Sequence, residues 1–304
     1  FTIFDVDEYK HENTPNNGKI GDGAQSNVYK VYQDERKYYA KKEFNSQTFT
    51  QKDIQRFLQE SEILFILRHP CIVKVYGFNY GDETNSASMI LSFEKNSLED
   101  SINNKSLTNE EKSRIAVEIV LGMRFVHSKN FIHRDLKPSN ILLSKNGHVR
   151  ISDFGLAKDD SLKESMTKGI GTIRFMAPEL LRDEDGELSY NNSVDVYAFG
   201  IILFFIVIGS YPPFNLMKIA KGEMPKMPDS MAKWVSSLTT SCLCFNPDER
   251  PSFQEVFEIM KSNNFDLFAD VDGGKLTQKK KTQLKIIEDR IAKIEAFEFQ
   301  YQDD

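Results

Sequence analysis

One short segment, residues 131–155, limits what this chain can fold into more than any other part of its sequence. Two apolar runs within it, Ile141–Leu143 and Val149–Ser152, flank the pair Asn146-Gly147. Asn-Gly between two β-type runs is a strong hairpin signal, because both residues tolerate the positive φ that tight turns need. The segment is therefore predicted to fold back on itself, which brings its two ends together.

Polar side chains lie at both ends of this predicted hairpin. Asp135 and Asn140 precede the first run, and Asp153 follows the second. A hairpin places all three side chains at one mouth. Carboxylate and amide oxygens are hard ligands that suit Mg²⁺, and a carboxylate can also orient a hydroxyl. The segment therefore predicts a site that binds a metal ion and a hydroxyl group.

The two motifs of this segment resemble the catalytic loop and the metal loop of eukaryotic protein kinases. They read His133-Arg134-Asp135 with Asn140, and Asp153-Phe154-Gly155. Either motif alone could be a chance surface turn, but the two in this order are very specific. The resemblance implies an α+β fold of two lobes, with a small five-stranded β lobe that carries one helix and a larger, mainly helical lobe.

The resemblance divides the chain into three parts. Residues 1–15 are predicted to be an N-terminal extension, residues 16–262 the kinase domain, and residues 263–304 a C-terminal tail. Within the domain, the small lobe is predicted to cover about residues 16–93 and the large lobe about residues 94–262.

A glycine-containing segment near the start of the domain resembles the loop that covers the ATP phosphates in this family. Its pattern includes Gly21, Gly23 and Val28, and Ser26 replaces the third glycine. Glycines allow backbone N–H groups to approach phosphates closely. The resemblance assigns ATP contacts to Ile20, Gly21, Gly23, Ser26, Val28, Ala40, Lys42 and Leu142.

Alternating residues in the next strand select one of two adjacent lysines. Tyr38, Ala40 and Lys42 share one face of a strand, and Lys41 is predicted to point the other way, to solvent. A lysine is ordinarily a solvated surface charge. The family lysine, however, follows its alanine by two positions, so the resemblance selects Lys42 as the phosphate ligand.

A helix predicted over residues 50–67 carries the partner of this lysine. The resemblance selects Glu60 as the glutamate that pairs with Lys42 and leaves Glu62 as a solvated charge. Leu64 is predicted to face the same side as Glu60. The helix itself is predicted from the helical spacing of its apolar residues Ile54, Phe57, Leu58, Leu64 and Leu67.

Residues 156–179, which end in Ala177-Pro178-Glu179, resemble the activation segment of the family. The resemblance implies that Arg134, with Lys158, meets a phosphate on this segment. Phosphorylation is predicted at Ser165 or Thr167, with Ser161 a weaker candidate. Two further residues complete the assignments: Thr172 agrees with serine/threonine specificity, and Arg250 is predicted to pair with Glu179 in a structural role.

The implied activity is the transfer of the γ-phosphate of ATP to protein serine or threonine hydroxyls. Lys137, two residues after Asp135, is typical of serine/threonine enzymes, and the sequences around Glu60 and from Asp195 to Gly200 resemble the tyrosine-kinase-like group. The implied catalytic set is Asp135, Lys137, Asn140, Lys42 and Glu60, with Mg²⁺ (Mn²⁺ as a substitute) held by Asn140 and Asp153. Two alternatives stay open, namely a pseudokinase scaffold and a dual-specificity kinase.

Composition restricts the partners and the compartment. The net charge of −6 argues against nucleic-acid binding, and three cysteines provide no disulfide framework. We therefore expect a cytoplasmic protein that does not bind nucleic acid, and the resemblance implies that its partners are protein substrates. Cys242 and Cys244 are expected to pack in a helix and not to bind a metal. The apolar run 198–209 is shorter than the roughly 20 residues of a membrane span, which predicts a core helix.

The C-terminal tail is predicted to contain an amphipathic helix. Its apolar residues recur at helical spacing among lysines and glutamates, and packing on the large lobe is favoured over dimerisation. A monomer is expected. The apolar residues are Leu284, Ile287, Ile291 and Ile294.

Overall fold

The computed structural model shows two lobes, as the sequence predicts. An antiparallel sheet with one helix forms the first lobe, and helices dominate the second. The structure describes residues 8–12, 14, 17–22, 26–34, 37–44, 51–81, 86–155, 173–181, 191–213, 215–268 and 278–300.

Among the described residues, the sheet of the small lobe contains six strands, where five were predicted. The strands are β1 (Lys10–His11), β2 (Lys19–Asp22), β3 (Ser26–Asp34), β4 (Lys37–Phe44), β5 (Val75–Asn79) and β6 (Ser88–Ser92). Their order is β1-β3-β4-β6-β5, with β2 also paired to β3. The additional strand is β1, where Lys10 pairs with Tyr32 of β3. Part of the predicted N-terminal extension thus belongs to the sheet.

Helix α1 (Gln51–Ile66) packs through a narrower face than its apolar spacing predicts. Phe57 and Leu64 are buried, whereas Ile54 and Leu58 are 44% and 45% exposed. The predicted helix is therefore present, and only part of its apolar spacing forms a buried face.

Lys41 does not reach solvent, so that prediction was wrong. Its side chain does lie on the opposite face from Lys42, but it is only 4% exposed and its Nζ is 2.6 Å from Glu43 Oε1. Aromatic rings occupy this outer face of the sheet, where Tyr39 meets Tyr9 at 5.3 Å and Tyr76 at 5.1 Å between ring centroids. Alternation along the strand indicates the face but not what covers it.

The large lobe begins after a short strand and is mainly helical. Capping boxes start three of its helices, with Ser97, Thr108 and Ser252 as the N-caps. The elements are β7 (Asn96–Ser97), α2 (Leu98–Asn103), α3 (Asn109–Ser128), β8 (Ile141–Leu143), β9 (Val149–Ile151), α4 (Pro178–Leu181), α5 (Ser193–Ile208), α6 (Leu216–Ala220), α7 (Lys233–Cys242), α8 (Phe253–Ser262) and α9 (Gln278–Gln300).

One apolar core runs through both lobes. It includes Phe57 of the small lobe, Phe154 between the lobes, and the face of α3 that contains Ile119. Helix α5 is buried along almost its whole length, as the apolar run predicted. Within the described part of the chain, no helix combines the length and the apolar character that a membrane span requires.

Helix α9 packs back on the large lobe, which confirms the prediction for the tail. Ile287, Ile291 and Ile294 are buried in the main core. Polar contacts accompany this packing, among them one from Gln283 Nε2 to Glu110 Oε1 of α3 at 2.7 Å.

Candidate active site

The predicted hairpin is present and aligns the two ends of its segment. Strands β8 and β9 are antiparallel, with Ile141 opposite Ile151. Gly147 has φ +72°, a conformation that favours glycine. Beyond the strands, the backbone N–H and the hydroxyl of Ser152 both donate to the carbonyl of Asn140, at 2.9 and 3.0 Å. Ser152, which precedes Asp153, is therefore hydrogen-bonded directly to Asn140.

Asp135, Lys137 and Asn140 form a compact polar cluster at this mouth. Asn140 Nδ2 donates to the Asp135 carbonyl at 2.8 Å and to Asp135 Oδ2 at 3.1 Å. Lys137 Nζ lies 2.7 Å from Oδ2 and 3.0 Å from Oδ1 of the same carboxylate. Because both Asn140 bonds use the amide nitrogen, its Oδ1 is the atom available to a metal ion.

Lys42 joins the small lobe to the metal loop. Its Nζ lies 2.6 Å from Glu60 Oε1 and 3.3 Å from Asp153 Oδ1. Burial alone would lower the pKa of Lys42, but the carboxylates of Glu60 and Asp153 outweigh it and raise the pKa. The ammonium group is therefore charged at neutral pH. Among the described acidic residues of α1, Glu60 is the one that contacts Lys42, while Glu62 is exposed.

The backbone around Asp153 directs its carboxylate outward. Asp153 has φ +66°, and the next side chain, Phe154, is fully buried with its ring 4.7 Å from that of His133. Gly155 then passes close to Glu60, since an added Cβ would lie 3.3 Å from Glu60 Oε2. With Phe154 anchored in the core, the Asp153 side chain remains 43% exposed toward the cleft.

Asp195 holds the backbone of the catalytic loop, a role that the sequence analysis missed. This carboxylate, 1% exposed at the start of α5, accepts the N–H groups of His133 and Arg134 at 2.8 and 2.9 Å. His127 Nε2 lies 2.8 Å from the same group. Burial alone would raise the pKa of Asp195, but the hydrogen bond from His127 and the other donors lower it. The sequence signal for this role was an acidic residue in the first turn of an otherwise apolar helix.

The side of the cleft predicted to bind the nucleotide is the inner face of the small-lobe sheet. Val28 pairs with Lys42, and Ala40 pairs with Leu91 of β6, so these side chains share the face of Lys42. Val28 and Leu91 are half-buried and Ala40 is buried. The ATP contacts assigned to Val28 and Ala40 stay predictions.

The glycine-containing loop is described only at its ends. Gly21 of β2 pairs with Val28 of β3, and Ser26 is the first residue of β3. The side chain of Ile20 is 49% exposed. Gly23 lies outside the described residues. On the opposite side of the cleft, Leu142 alternates with buried neighbours in β8 and is half-buried.

The predicted regulatory residues Lys158, Ser165, Thr167 and Thr172, with Ser161, also lie outside the described residues. The end of the activation segment is described. There, Arg250 Nη1 and Nη2 donate to Glu179 Oε1 and Oε2 at 2.7 and 2.8 Å. Both residues are buried, so the predicted structural pair is present as a bidentate ion pair.

The oxygen donors of Asn140 and Asp153 suit a magnesium ion better than a metal that is coordinated by protein side chains alone. Within the described residues, no group of three or more His, Cys, Asp and Glu side chains is arranged to hold a metal. Mg²⁺ typically takes one or two protein oxygens and completes its shell with phosphates and water. Asn140 and Asp153 supply that number. Burial raises the pKa of Cys242 to about 12, and its side chain lies in the main apolar core.

Comparison with known proteins agrees with this geometry. The family model described as protein kinase domain matches residues 15–260. The chain belongs to the protein kinase domain family. Its fold is therefore the two-lobed α+β fold of that family.

Similar proteins occur in Dictyostelium discoideum. One named "Probable serine/threonine-protein kinase" is 34% identical over 67% of this chain and 16% of its own length. A second protein with that name is 31% identical over 79% of the chain and 15% of its own length. A "Probable LIM domain-containing serine/threonine-protein kinase" is 31% identical over 80% of the chain and 38% of its own length. The chain thus spans well under half of each relative.

Proposed function

We propose that this kinase domain transfers the γ-phosphate of ATP to serine and threonine hydroxyls of protein substrates. One observation carries the proposal. Lys42 is held by Glu60 of α1 and by Asp153 of the metal loop at the same time, with Nζ–O distances of 2.6 and 3.3 Å. This contact brings the phosphate-binding and metal-binding groups into one cleft.

Phosphoryl transfer depends on positioning and charge neutralisation more than on covalent chemistry by the protein. Lys42, oriented by Glu60, would bind the α- and β-phosphates of ATP. Asn140 and Asp153 would hold Mg²⁺ or Mn²⁺, which neutralises phosphate charge when bound. Asp135 would orient the substrate hydroxyl, and Lys137, bonded to that carboxylate, is placed to neutralise the γ-phosphate.

The preference for serine and threonine rests on Lys137 and on the names of the similar proteins. Sequence patterns around Glu60 and Asp195 also support membership of the tyrosine-kinase-like group. A dual-specificity enzyme is the nearest alternative. A pseudokinase scaffold is disfavoured because Lys42, Asp135, Asn140 and Asp153 are all present.

The acceptor preference is tested with three basic peptides that differ only in one hydroxyl residue, serine, threonine or tyrosine. We expect the purified chain with Mg-ATP to phosphorylate the serine and threonine peptides and to leave the tyrosine peptide unmodified. Comparable rates on tyrosine would establish dual specificity. ATP binding without transfer to any peptide would favour the scaffold.

Replacing Glu60 by glutamine should weaken ATP binding. The neutral side chain no longer holds the Lys42 ammonium group, which then pairs with Asp153 alone. We expect the KM for ATP to rise about tenfold, the size of one lost charge-assisted contact. Glu62→Gln on the exposed side of the same helix is the matched control and should leave the KM unchanged. An unchanged KM for both variants would show that Glu60 does not contribute to ATP binding.

Activity is also proposed to depend on phosphorylation of the activation segment. A phosphate at Ser165 or Thr167 (Ser161 less favoured) would form charge-assisted pairs with Arg134 and Lys158, and Thr172 is expected to assist acceptor choice. Alanine at positions 161, 165 and 167 together should lower the steady-state rate about tenfold and abolish the activation lag that this regulation predicts for unphosphorylated enzyme. Unchanged rate and lag would refute this regulation. Cytoplasmic location and a monomeric state stay predictions.

A further inference from the structure

Glu298 near the end of α9 joins the two lobes. Its Oε1 lies 3.1 Å from His69 Nε2, and its Oε2 accepts from Arg124 Nη2 of α3 at 3.2 Å. His69 Nδ1 accepts the N–H of Cys71 at 3.1 Å, so Nε2 carries the proton and donates to Glu298. The His69 ring is buried and stacked on Phe125, with centroids 4.8 Å apart.

His69 belongs to residues 67–74, the connection between α1 and β5. This connection is also bonded to β9, because Ile151 N donates to the Cys71 carbonyl at 2.8 Å and Val73 N donates to the Ile151 carbonyl at 2.9 Å. The helix that carries Glu60 ends at one side of the connection, and the strand that leads to Asp153 lies at the other. A contact that holds His69 therefore holds a segment that borders the elements leading to Glu60 and to Asp153, the two partners of Lys42.

A second residue of α9, Arg290, connects this helix to the β8–β9 hairpin through Glu118. Arg290 Nε donates to Glu118 Oε1 at 3.1 Å. Glu118 is fully buried in α3, and its Oε2 accepts the backbone N–H of Val149, the first residue of β9, at 2.7 Å. His148 Nδ1 lies 2.8 Å from Glu118 Oε1. The same helix thus supports the hairpin that positions Asn140 and Asp153.

We propose that α9 is a positioning element of the ATP site, with Glu298 and Arg290 as its positioning residues. Glu298 fixes the connection that follows α1, so that Glu60 stays within reach of Lys42. Arg290 fixes Glu118 and, through it, the start of β9. The inference rests on the proposed function for its meaning, but it is tested by ATP affinity, which is measurable without any phosphoryl transfer.

The test compares Glu298→Ala with Glu288→Ala, an exposed glutamate of the same helix. We expect Glu298→Ala to raise the Kd for Mg-ATP about fivefold, within the range of couplings carried by bonded networks. Backbone amides of residues 51–66 should also exchange hydrogen faster. Glu288→Ala should change neither quantity. Glu298→Gln keeps an oxygen that accepts from His69 and should restore most of the affinity.

A purely structural helix gives a different result. In that case Glu298→Ala lowers the midpoint of thermal unfolding while the ATP Kd of the folded protein and the exchange of α1 amides stay at wild-type values, which would overturn the proposal. If Glu298→Ala does not fold, His69→Phe serves as the second variant, since its ring can still stack on Phe125 but has no nitrogen that donates to Glu298. Normal ATP affinity in that variant would equally refute the coupling. In the wild-type protein, normal ATP binding without any phosphoryl transfer would count against the proposed function alone.

Discussion

Replacing Asp153 by asparagine should lower the rate of γ-phosphate transfer by about three orders of magnitude or more, roughly 4 kcal/mol in transition-state stabilisation. Asparagine keeps the shape of the side chain but removes the charge that would bind Mg²⁺. The Asp153 carboxylate is also one of the two groups that orient Lys42, at 3.3 Å from its Nζ. The variant should stay folded, because this side chain is 43% exposed and Phe154 beside it still fills the core.

The matched control is Asp229→Asn, which makes the same chemical change at an exposed aspartate of the large lobe. Its transfer rate should equal that of the wild type. Initial rates at saturating Mg-ATP, with circular dichroism to verify folding, give the comparison. A rate for Asp153→Asn within tenfold of wild type would mean that the metal binds elsewhere.

Replacing Arg250 by alanine should reduce the free energy of unfolding by about 3–5 kcal/mol, the usual cost of leaving one member of a buried ion pair behind. Arg250 makes both bonds to Glu179 and also donates from Nε to the Cys244 carbonyl at 2.8 Å. The alanine variant would leave the Glu179 carboxylate buried without its cation. The unfolding midpoint in urea and its slope would provide the measurement.

Two comparisons separate burial from charge in this experiment. Lys218→Ala breaks an exposed pair with Glu223, whose side chains are 60% and 55% exposed, and should cost less than about 1 kcal/mol. The double variant Glu179→Leu with Arg250→Met should recover much of the loss, because no unpaired charge remains. Equal destabilisation by Arg250→Ala and Lys218→Ala would contradict the role given to burial.

The catalytic cluster was the part of the structure most accessible from the sequence, for a physical reason. Asp135, Asn140 and Asp153 are joined by a hairpin whose turn and strands are local, so the folding of one short segment already determines their proximity. The resemblance could select Lys42 and Glu60 because the family pattern fixes the position of each residue within its strand or helix. Their contact with Asp153, across the two lobes, depends on how the lobes pack.

The failures share the opposite property, because each depends on a distant surface. Lys41 is buried on the outer face of the sheet, where the rings of Tyr39 and Tyr9 also lie, and alternation along β4 does not reveal this cover. Likewise, the partners of Asp195 and Glu298 come from other elements, and their pairing appears only when α5 and α9 are packed.

The most direct test of this account is γ-phosphate transfer from labelled Mg-ATP to a generic basic protein, with Lys42→Met as the control. The account predicts that wild type places label on serine or threonine and that the control places none. No transfer by folded, ATP-binding wild type, even after its activation segment is phosphorylated, would contradict the account and identify the chain as a scaffold with an intact kinase site.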